Sequence, residues 1–115
     1  MRSLLRRQAE HRPQMLCVAD LELDLARMKA RRGGQPIDLT GKEFQMLALL
    51  VRHQGEIVTR AMLAQQVWEV NFMVDSNAID VALGRLRKKV DELFADKLIR
   101  TVRGAGYCLE VRHHA

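Results

Sequence analysis

Long hydrophobic runs are absent from this sequence. Its 115 residues are 48% hydrophobic, but no stretch approaches the roughly 18 consecutive apolar residues that a membrane-spanning helix needs. The opening residues, MRSLLRRQAEHR, are basic and lack the apolar core of a secretory signal. Both absences predict a soluble cytoplasmic protein, and the length suits one domain with a single core.

Cysteine is scarce. Cys17 and Cys108 lie far apart in the sequence, and neither belongs to a C-x-x-C motif or to a Cys/His spacing typical of metal ligands. We expect reduced thiols, with no disulfide, no metal site and no cofactor. His113 and His114 are interpreted as a frayed tail. Direct metal sensing through these cysteines and histidines is the alternative, which tight, stoichiometric metal uptake would support.

Catalytic motifs are also missing. The sequence contains no phosphate-binding glycine loop, no Ser/His/Asp arrangement and no carboxylate pair with a structural reason to lie close together. Asp91 and Glu92 are neighbours, but they point in different directions from a helix. We therefore predict that the chain is not an enzyme.

Basic residues outnumber acidic ones, and the net charge is +5 with an isoelectric point of about 9.8. Such an excess favours a polyanionic partner, nucleic acid before membrane. Between Asp80 and Arg103 the basic side chains are Arg85, Arg87, Lys88, Lys89, Lys97, Arg100 and Arg103. The acids of the same stretch fall mainly in the later turns of a predicted helix, so the front of that helix is locally positive.

The chain is predicted to divide into a linker and a folded domain. Residues 1–15 are charged and polar, which is typical of a linker. The folded domain is expected to span residues 16–115.

The first part of the domain, residues 16–39, has the pattern of a sheet. Apolar residues alternate with acidic ones in LELDL, and Met28 and Ala30 alternate with basic residues, so one face of each strand is expected to be buried. Gly33-Gly34 predicts a tight turn because glycine reaches positive φ without penalty. The whole segment predicts a four-stranded antiparallel sheet.

Two helices are predicted next. Thr40 with Glu43 forms a capping box at the start of the first helix. The apolar stripe of this helix consists of Phe44, Leu47, Ala48 and Val51. Ile57-Val58 is a short apolar strand, Thr59 caps the second helix, and Trp68 closes it.

The third and longest helix is predicted over about residues 76–94. With successive residues 100° apart, a narrow apolar wedge faces the core. The wedge contains Ile79, Leu83, Leu86, Val90 and Leu93. The opposite face contains Asn77, Val81, Gly84, Arg85 and Lys88.

This opposite face suits the major groove of DNA. Arginine donates two hydrogen bonds to guanine, asparagine pairs with adenine, and a small apolar side chain meets a thymine methyl group. Gly84 removes bulk where a helix approaches DNA, at a cost of roughly 1 kcal/mol in helix propensity relative to alanine. A merely solvated basic face is the alternative interpretation.

A hairpin is predicted at the end of the chain, with strands at 98–102 and 107–111 around a glycine-rich turn. Arg103 lies at its tip, and Thr101 and Arg100 are nearby, which suits contact with phosphates or a minor groove. A basic hairpin directly after a basic-faced helix favours DNA binding. The predicted fold class is α+β, with a sheet, three helices and a hairpin in that order.

Three segments in this order carry a family resemblance: DLTGKEFQMLALLVRHQGEIVTRAMLAQQVW, NAIDVALGRLRKKVD and IRTVRGAGYCLE. Their most specific pieces are LT-x-x-EF, D-V-x-x-x-x-L-R-x-K and TVRG-x-GY. Over roughly residues 16–111 the sequence resembles the C-terminal effector domain of OmpR/PhoB-type response regulators. The resemblance implies a winged helix-turn-helix, with the third helix in the major groove and residues 98–111 as the wing.

The resemblance also implies partners. In such two-component regulators a sensor kinase phosphorylates a receiver domain, and effector domains bind direct-repeat promoter DNA in tandem. The opening RSLLRR resembles the end of a receiver's last helix, so we expect this chain to be an effector domain without its receiver. QVWEVNF and SNAIDVA resemble the copper- and heavy-metal-responsive branch of the family.

Individual roles follow from the same resemblance. Val81 and Arg85 match base-facing positions, Arg87 matches a phosphate-contacting or supporting position, and Thr101 and Arg103 match wing contacts. Asn77 fits a base contact both by its place on the helix and by the likeness to the metal-responsive branch.

Two further positions follow less directly. Gly84 departs from the basic or polar residue often found at this position in the family. A loop that some members use to touch RNA polymerase corresponds to Glu69, Val70, Asn71, Phe72, Met73 and Val74. Phe72 and Met73 are alternatively interpreted as packing beneath that loop.

A winged helix that docks another protein, without sequence-specific DNA binding, is the alternative function. It predicts an exposed apolar patch in place of the basic one. The response to salt separates the two, because binding to several phosphates weakens steeply as salt rises.

Overall fold

A computed structural model describes residues 15–68, 76–92, 94 and 97–111 of the chain. The helices in these ranges are α1 (Gly41–Arg52), α2 (Arg60–Leu63) and α3 (Ser76–Asp91). The strands are β1 (Met15–Val18), β2 (Leu21–Asp24), β3 (Lys29–Arg32), β4 (Gln35–Ile37), β5 (Val58–Thr59), β6 (Ile99–Val102) and β7 (Gly106–Leu109). This order confirms the predicted sheet, helices and hairpin. Except for Met15, which begins β1, the predicted linker lies outside the described residues.

The N-terminal sheet is antiparallel, with its strands in the order β1-β2-β3-β4. Leu21 and Leu23 of β2 lie opposite Arg32 and Ala30 of β3, and all four side chains are buried. The alternation predicted for these strands is therefore confirmed. It also places an arginine on the inward face.

The expectation that Met28 faces inward was wrong. The Asp24 carboxylate accepts hydrogen bonds from the backbone N–H groups of Ala26 and Arg27, at 3.1 and 3.2 Å, and so stabilises a turn before β3. Met28 belongs to that turn, has a φ of 55° and is 42% exposed. The period of two therefore begins only at Lys29.

Helix α1 starts with the predicted capping box. Thr40 Oγ1 accepts from the Glu43 backbone N–H at 3.2 Å, and Glu43 Oε1 accepts from the Thr40 backbone N–H at 2.9 Å. The predicted stripe is buried, but Met46, Leu49 and Leu50 are buried as well. The reason is that α1 packs against β1, α3 and β7 at once, which makes it the central element of the fold.

Helix α2 begins where the sequence predicted but changes character along its length. Thr59 caps it, with its hydroxyl accepting from the Met62 backbone N–H at 3.1 Å. After Leu63 the chain continues as a π-helical turn, Ala64–Trp68, in place of further α-helix. Lys42 of α1 donates to the Val67 carbonyl at 2.8 Å, which ties this turn to α1.

Helix α3 ends at Asp91, earlier than the predicted end near residue 94. Lys97 Nζ donates to the carbonyls of Asp91 at 2.8 Å and Phe94 at 2.7 Å, so the side chain closes the helix end. The predicted wedge is confirmed at its described positions, which are the buried Ile79, Leu83, Leu86 and Val90. Leu93 lies outside the described residues.

The C-terminal hairpin, β6 and β7, gains a third strand. The predicted short strand at Ile57-Val58 appears as β5, which pairs with β7 and gives the order β5-β7-β6. Gly106 allows this pairing, because a Cβ at that position would lie 2.2 Å from the Val58 carbonyl oxygen. Residues 98–111, the hairpin with its ends, are called the wing below.

We expect Gly106→Ala to lower the free energy of unfolding by about 3 kcal/mol, since it adds a clash with β5 to an unfavourable φ of 154°. Gly104→Ala is the matched control. That residue also has positive φ, but a Cβ there would meet no heavy atom within 4 Å, so only about 1 kcal/mol of backbone strain is expected. Urea unfolding of both variants measures the difference, and equal losses would contradict the close approach of β5.

Candidate nucleic-acid interface

The outward face of α3 carries the residues that the sequence placed there. Asn77, Val81, Gly84, Arg85 and Lys88 are all exposed, and Val81 is 46% exposed. They lie on one face because the apolar wedge on the other side of the helix is held in the core. The face offers an amide, a small apolar side chain, a gap and two cations to solvent.

Gly84 leaves a gap on this face because it has no side chain. A Cβ added to it would meet no heavy atom of the described residues within 4 Å. Glycine at this position is therefore not required by packing within the domain. Helix propensity disfavours it by roughly 1 kcal/mol relative to alanine.

A second set of α3 side chains faces the wing. At 100° per residue, Asp80, Arg87 and Asp91 fall within about 40° of one another, between the core wedge and the outward face. We call these three residues the wing-facing row. Each of them bonds to the wing, so the row joins the long helix to the hairpin along its length.

Arg87 belongs to this row and is half-buried. Its Nη2 donates to Thr101 Oγ1 of β6, while its Nε is buried and has no hydrogen-bond partner among the described residues. The guanidinium is therefore directed at the wing, away from the face that carries Arg85. Thr101 itself is exposed.

Asp80 connects three elements. It accepts a hydrogen bond from the Tyr107 hydroxyl of β7 and another from Arg60 Nε of α2, the latter at 2.8 Å. The Arg60 guanidinium also lies 5.5 Å from the centre of the Tyr107 ring. The hydrogen bond from Tyr107, with that from Arg60, lowers the pKa of Asp80 below its ordinary value. Asp80 is therefore a carboxylate at neutral pH.

The sequence reasoning missed this Asp80 cluster. In the sequence, Asp80 and Tyr107 stand out only as parts of the family motifs, and no local pattern relates them to Arg60. The available signal is an acid one position before Val81, in a helix whose other charged residues before Asp91 are all basic. Its neutralisation by Arg60 leaves the outward face without a competing negative charge.

The wing presents its cations unevenly. Arg103 lies in the turn between β6 and β7, is exposed and forms no ion pair with the residues that the structure describes. Arg100 is half-buried, and its Nη2 lies 3.5 Å from Glu110 Oε1. The tip of the wing is therefore more strongly positive than its base.

Other predicted features lie apart from this interface. The loop at residues 69–74 and the terminal histidines are outside the described residues. Cys17 is exposed on β1, whereas Cys108 is buried in β7, where burial and the nearby Glu110 raise the pKa of its thiol. The described part of the chain contains no cluster of three or more possible metal ligands. None of its helices is both long enough and apolar enough to cross a membrane.

The sequence and the fold both match known proteins. Residues 34–109 match the family described as "Transcriptional regulatory protein, C terminal". Over 112 residues the chain is 54% identical to transcriptional activator protein IrlR of Burkholderia pseudomallei, covering 97% of this chain and 49% of that protein. It is 56% identical over 94 residues to transcriptional regulatory protein CusR of Escherichia coli, covering 82% of this chain and 41% of that protein. The chain thus spans about half the length of these relatives or less.

Solved structures give the same result. The DNA-binding domain of CpxR from Escherichia coli superposes with a TM-score of 0.75 at 35% identity, covering 86% of this chain and 98% of that one. The DNA-binding domain of Klebsiella pneumoniae RstA, solved in complex with the RstA box, gives a TM-score of 0.74 at 29% identity, covering 84% and 97%. These matches confirm the predicted winged helix. The chain belongs to the family of C-terminal domains of transcriptional regulatory proteins and has the winged-helix fold of OmpR/PhoB-type DNA-binding domains.

Proposed function

We propose that this chain binds double-stranded DNA sequence-specifically and so regulates transcription, with α3 in the major groove and the wing on the adjacent backbone or minor groove. One observation carries the proposal: the outward face of α3 combines Asn77, Val81 and Arg85 around the gap at Gly84. Each of these side chains has a base-edge partner in the major groove. A protein-docking face would present a contiguous apolar patch instead.

Within α3 the roles divide between bases and backbone. Asn77, Val81 and Arg85 contact base edges, Gly84 lets the helix approach closely, and Lys88 binds phosphate. Arg87 donates a hydrogen bond to Thr101, which favours a role in holding the wing over direct contact with phosphate. Its guanidinium then keeps the wing beside the helix.

Within the wing, Arg103 is the principal contact, because it is exposed at the tip and has no internal ion-pair partner among the described residues. Thr101 and Arg100 lie further down β6. Arg100 is already near Glu110, at 3.5 Å, so it contributes less to an outward positive charge than Arg103 does. Contacts of this kind fix the position of a protein on the duplex more than they select its sequence.

The larger context of the proposal comes from the resemblance to OmpR/PhoB-type response regulators. On that resemblance we infer that the domain works beside a receiver domain that a sensor kinase phosphorylates, and that two copies bind a direct repeat in tandem. RNA polymerase is a further partner, through residues 69–74. The identity to CusR, and the likeness of QVWEVNF and SNAIDVA to the metal-responsive branch, support a copper or related stress response.

The proposal is tested by selecting bound duplexes from a random library and titrating the best of them at several salt concentrations. We expect a direct repeat whose half-sites lie about one helical turn apart, with affinity that falls steeply as salt rises. Enrichment of no sequence, together with weak and salt-insensitive binding, would contradict DNA binding. It would favour a protein-interaction module on the same fold.

Arg85→Ala is expected to weaken specific binding by about 1–3 kcal/mol and to relax the preference at one base pair, since a bidentate contact is lost. Lys29→Ala is the charge-matched control, because Lys29 is exposed on β3 of the N-terminal sheet. Repeating the library selection with each variant measures both effects. An unchanged selected sequence at unchanged affinity would remove Arg85 from the base contacts.

Arg103→Ala is expected to weaken binding to all sequences alike and to make the log–log salt dependence shallower by about 0.9, the value for one phosphate. Arg27→Ala removes an exposed arginine from a turn in the other sheet and serves as the control. Affinity titrations over a range of salt concentrations give the slopes. If the slopes of wild type and Arg103→Ala coincide, Arg103 does not contact the backbone.

Gly84→Ala is expected to raise the free energy of unfolding by about 0.5–1 kcal/mol, because alanine favours the helix and its Cβ meets nothing in the domain. Specific DNA affinity should fall at the same time if the methyl group meets the groove. Ala78→Gly, also at an exposed position of α3, should show the opposite change in stability. Unfolding in urea and binding to the selected duplex are measured on both, and unchanged affinity in Gly84→Ala would show that close approach is not needed there.

A further inference from the structure

Arg32 is a buried cation of the N-terminal sheet and does not belong to the outward face of α3. It lies on the inward face of β3 and is 1% exposed. Its Nη1 donates to the Val90 carbonyl at 2.8 Å and to Asp91 Oδ1 at 2.7 Å, and its Nε donates to Asp20 Oδ1 at 3.1 Å. The guanidinium also stacks on the Phe94 ring, 4.4 Å from its centre. The N-terminal sheet therefore reaches the last turn of α3 through one side chain.

Asp91 passes this contact on to the wing. Its carboxylate, 3% exposed, accepts from the Leu98 backbone N–H at 3.0 Å through Oδ1 and from the Ile99 backbone N–H at 2.9 Å through Oδ2. Both oxygens are thus engaged at the point where the wing begins. Asp91 is the last residue of α3, so these hydrogen bonds fix the angle between the end of α3 and the start of β6.

Stability alone does not account for a buried ion pair at this place. The cost of removing both charges from water offsets most of their attraction, and apolar residues of similar size often serve a core equally well. A charged pair instead provides several directional hydrogen bonds. Asp91 has two acceptor oxygens for two backbone donors, and the planar guanidinium of Arg32 donates to a carbonyl and two carboxylates. Any tilt of the wing base would leave these groups unpaired in a buried site, where an unsatisfied polar group is costly.

We propose that the Arg32–Asp91 pair is a positioning element for DNA binding, which sets the wing against α3 from the N-terminal sheet. The inference rests on the DNA-binding function proposed above. Neither residue faces the duplex, and they act through the placement of Arg103. Asp80 and Arg87 of α3 also form hydrogen bonds to the wing. Of the three contacts, however, the Arg32–Asp91 pair is the one at the start of the wing and the one that involves the N-terminal sheet.

The test is a double-mutant cycle between Asp91→Asn and Arg103→Ala in the 115-residue chain. The DNA is the duplex of highest affinity that wild type recovers from the random library. In wild type, Arg103→Ala should make the salt dependence shallower by about 0.9. In the Asp91→Asn background we expect less than half that change, because the displaced wing no longer places Arg103 on the phosphate. Changes of equal size in both backgrounds would overturn the proposal, since independent sites behave additively.

A second measurement does not depend on DNA. Amide hydrogen exchange, followed by NMR, should become at least about tenfold faster at Leu98 and Ile99 in Asp91→Asn while the amides of Tyr107 and Leu109 change less. Uniformly faster exchange would indicate a general loss of stability and would overturn the positioning role. If wild type recovers no duplex, the DNA-binding proposal fails, whereas this measurement still decides whether the pair fixes the wing base.

Two further variants complete the design. Arg32→Lys keeps a positive charge near Asp91 but lacks the planar guanidinium, so it should reproduce the effects of Asp91→Asn in weaker form. If Asp91→Asn does not fold, Arg32→Lys takes its place in both measurements. Asp20→Asn is the matched control, because Asp20 is an exposed partner of the same guanidinium and forms no hydrogen bond or ion pair with the described residues of the wing. If Asp20→Asn alters wing exchange as much as Asp91→Asn does, the effect does not pass through Asp91 and the proposal is wrong.

Discussion

Burial of one face of α3 is the constraint on which the rest of the structure depends. Ile79, Leu83, Leu86 and Val90 are each 1% exposed or less, and burying such a side chain is worth about 1.5–3 kcal/mol. Turning the helix by a single residue would withdraw all of them from the core. The loss would be about 6–12 kcal/mol, as large as the whole stability of a typical domain. The remaining residues of α3 therefore have fixed directions, and their chemistry can be selected for what lies in those directions.

The acidic and the exposed basic side chains of α3 lie on different sides of the helix. Asp80 and Asp91 are the acids of α3, and both bond to the wing. Arg60 of α2 and Arg32 of β3 compensate their charges. Lys89 is turned toward α1, where its Nζ lies 2.6 Å from Glu43 Oε1. Burial on its own would raise the pKa of Glu43, but hydrogen bonds from Lys89 and Thr40 outweigh it and lower that pKa. These charges are thus paired within the domain, whereas Arg85 and Lys88 of the outward face are exposed to solvent.

Much of this arrangement could be predicted from the sequence, because local rules decide it. The capping box at Thr40, the alternation of β2 and the two faces of α3 all depend on residues within a few positions of one another. What sequence reasoning missed is non-local. Arg32 and Asp91 are 59 positions apart, and a charged residue at the inward position of β3 is invisible to a search for apolar periodicity. The early end of α3 similarly depends on the side chain of Lys97, beyond the helix.

The separation of faces on α3 also separates two properties of DNA recognition. Substitutions at the exposed positions Val81, Gly84, Arg85 and Lys88 are expected to leave the fold intact, because these residues are not part of the core. The wing-facing row cannot be changed in this way, because Asp80 and Asp91 each join several elements at once. If DNA binds as proposed, such a domain can acquire a new base preference on the outward face while the distance between α3 and the wing stays the same. Rigid placement of binding elements reduces the ordering cost of binding, and the hydrogen bonds that join Asp80, Arg87 and Asp91 to the wing supply directional contacts of that kind.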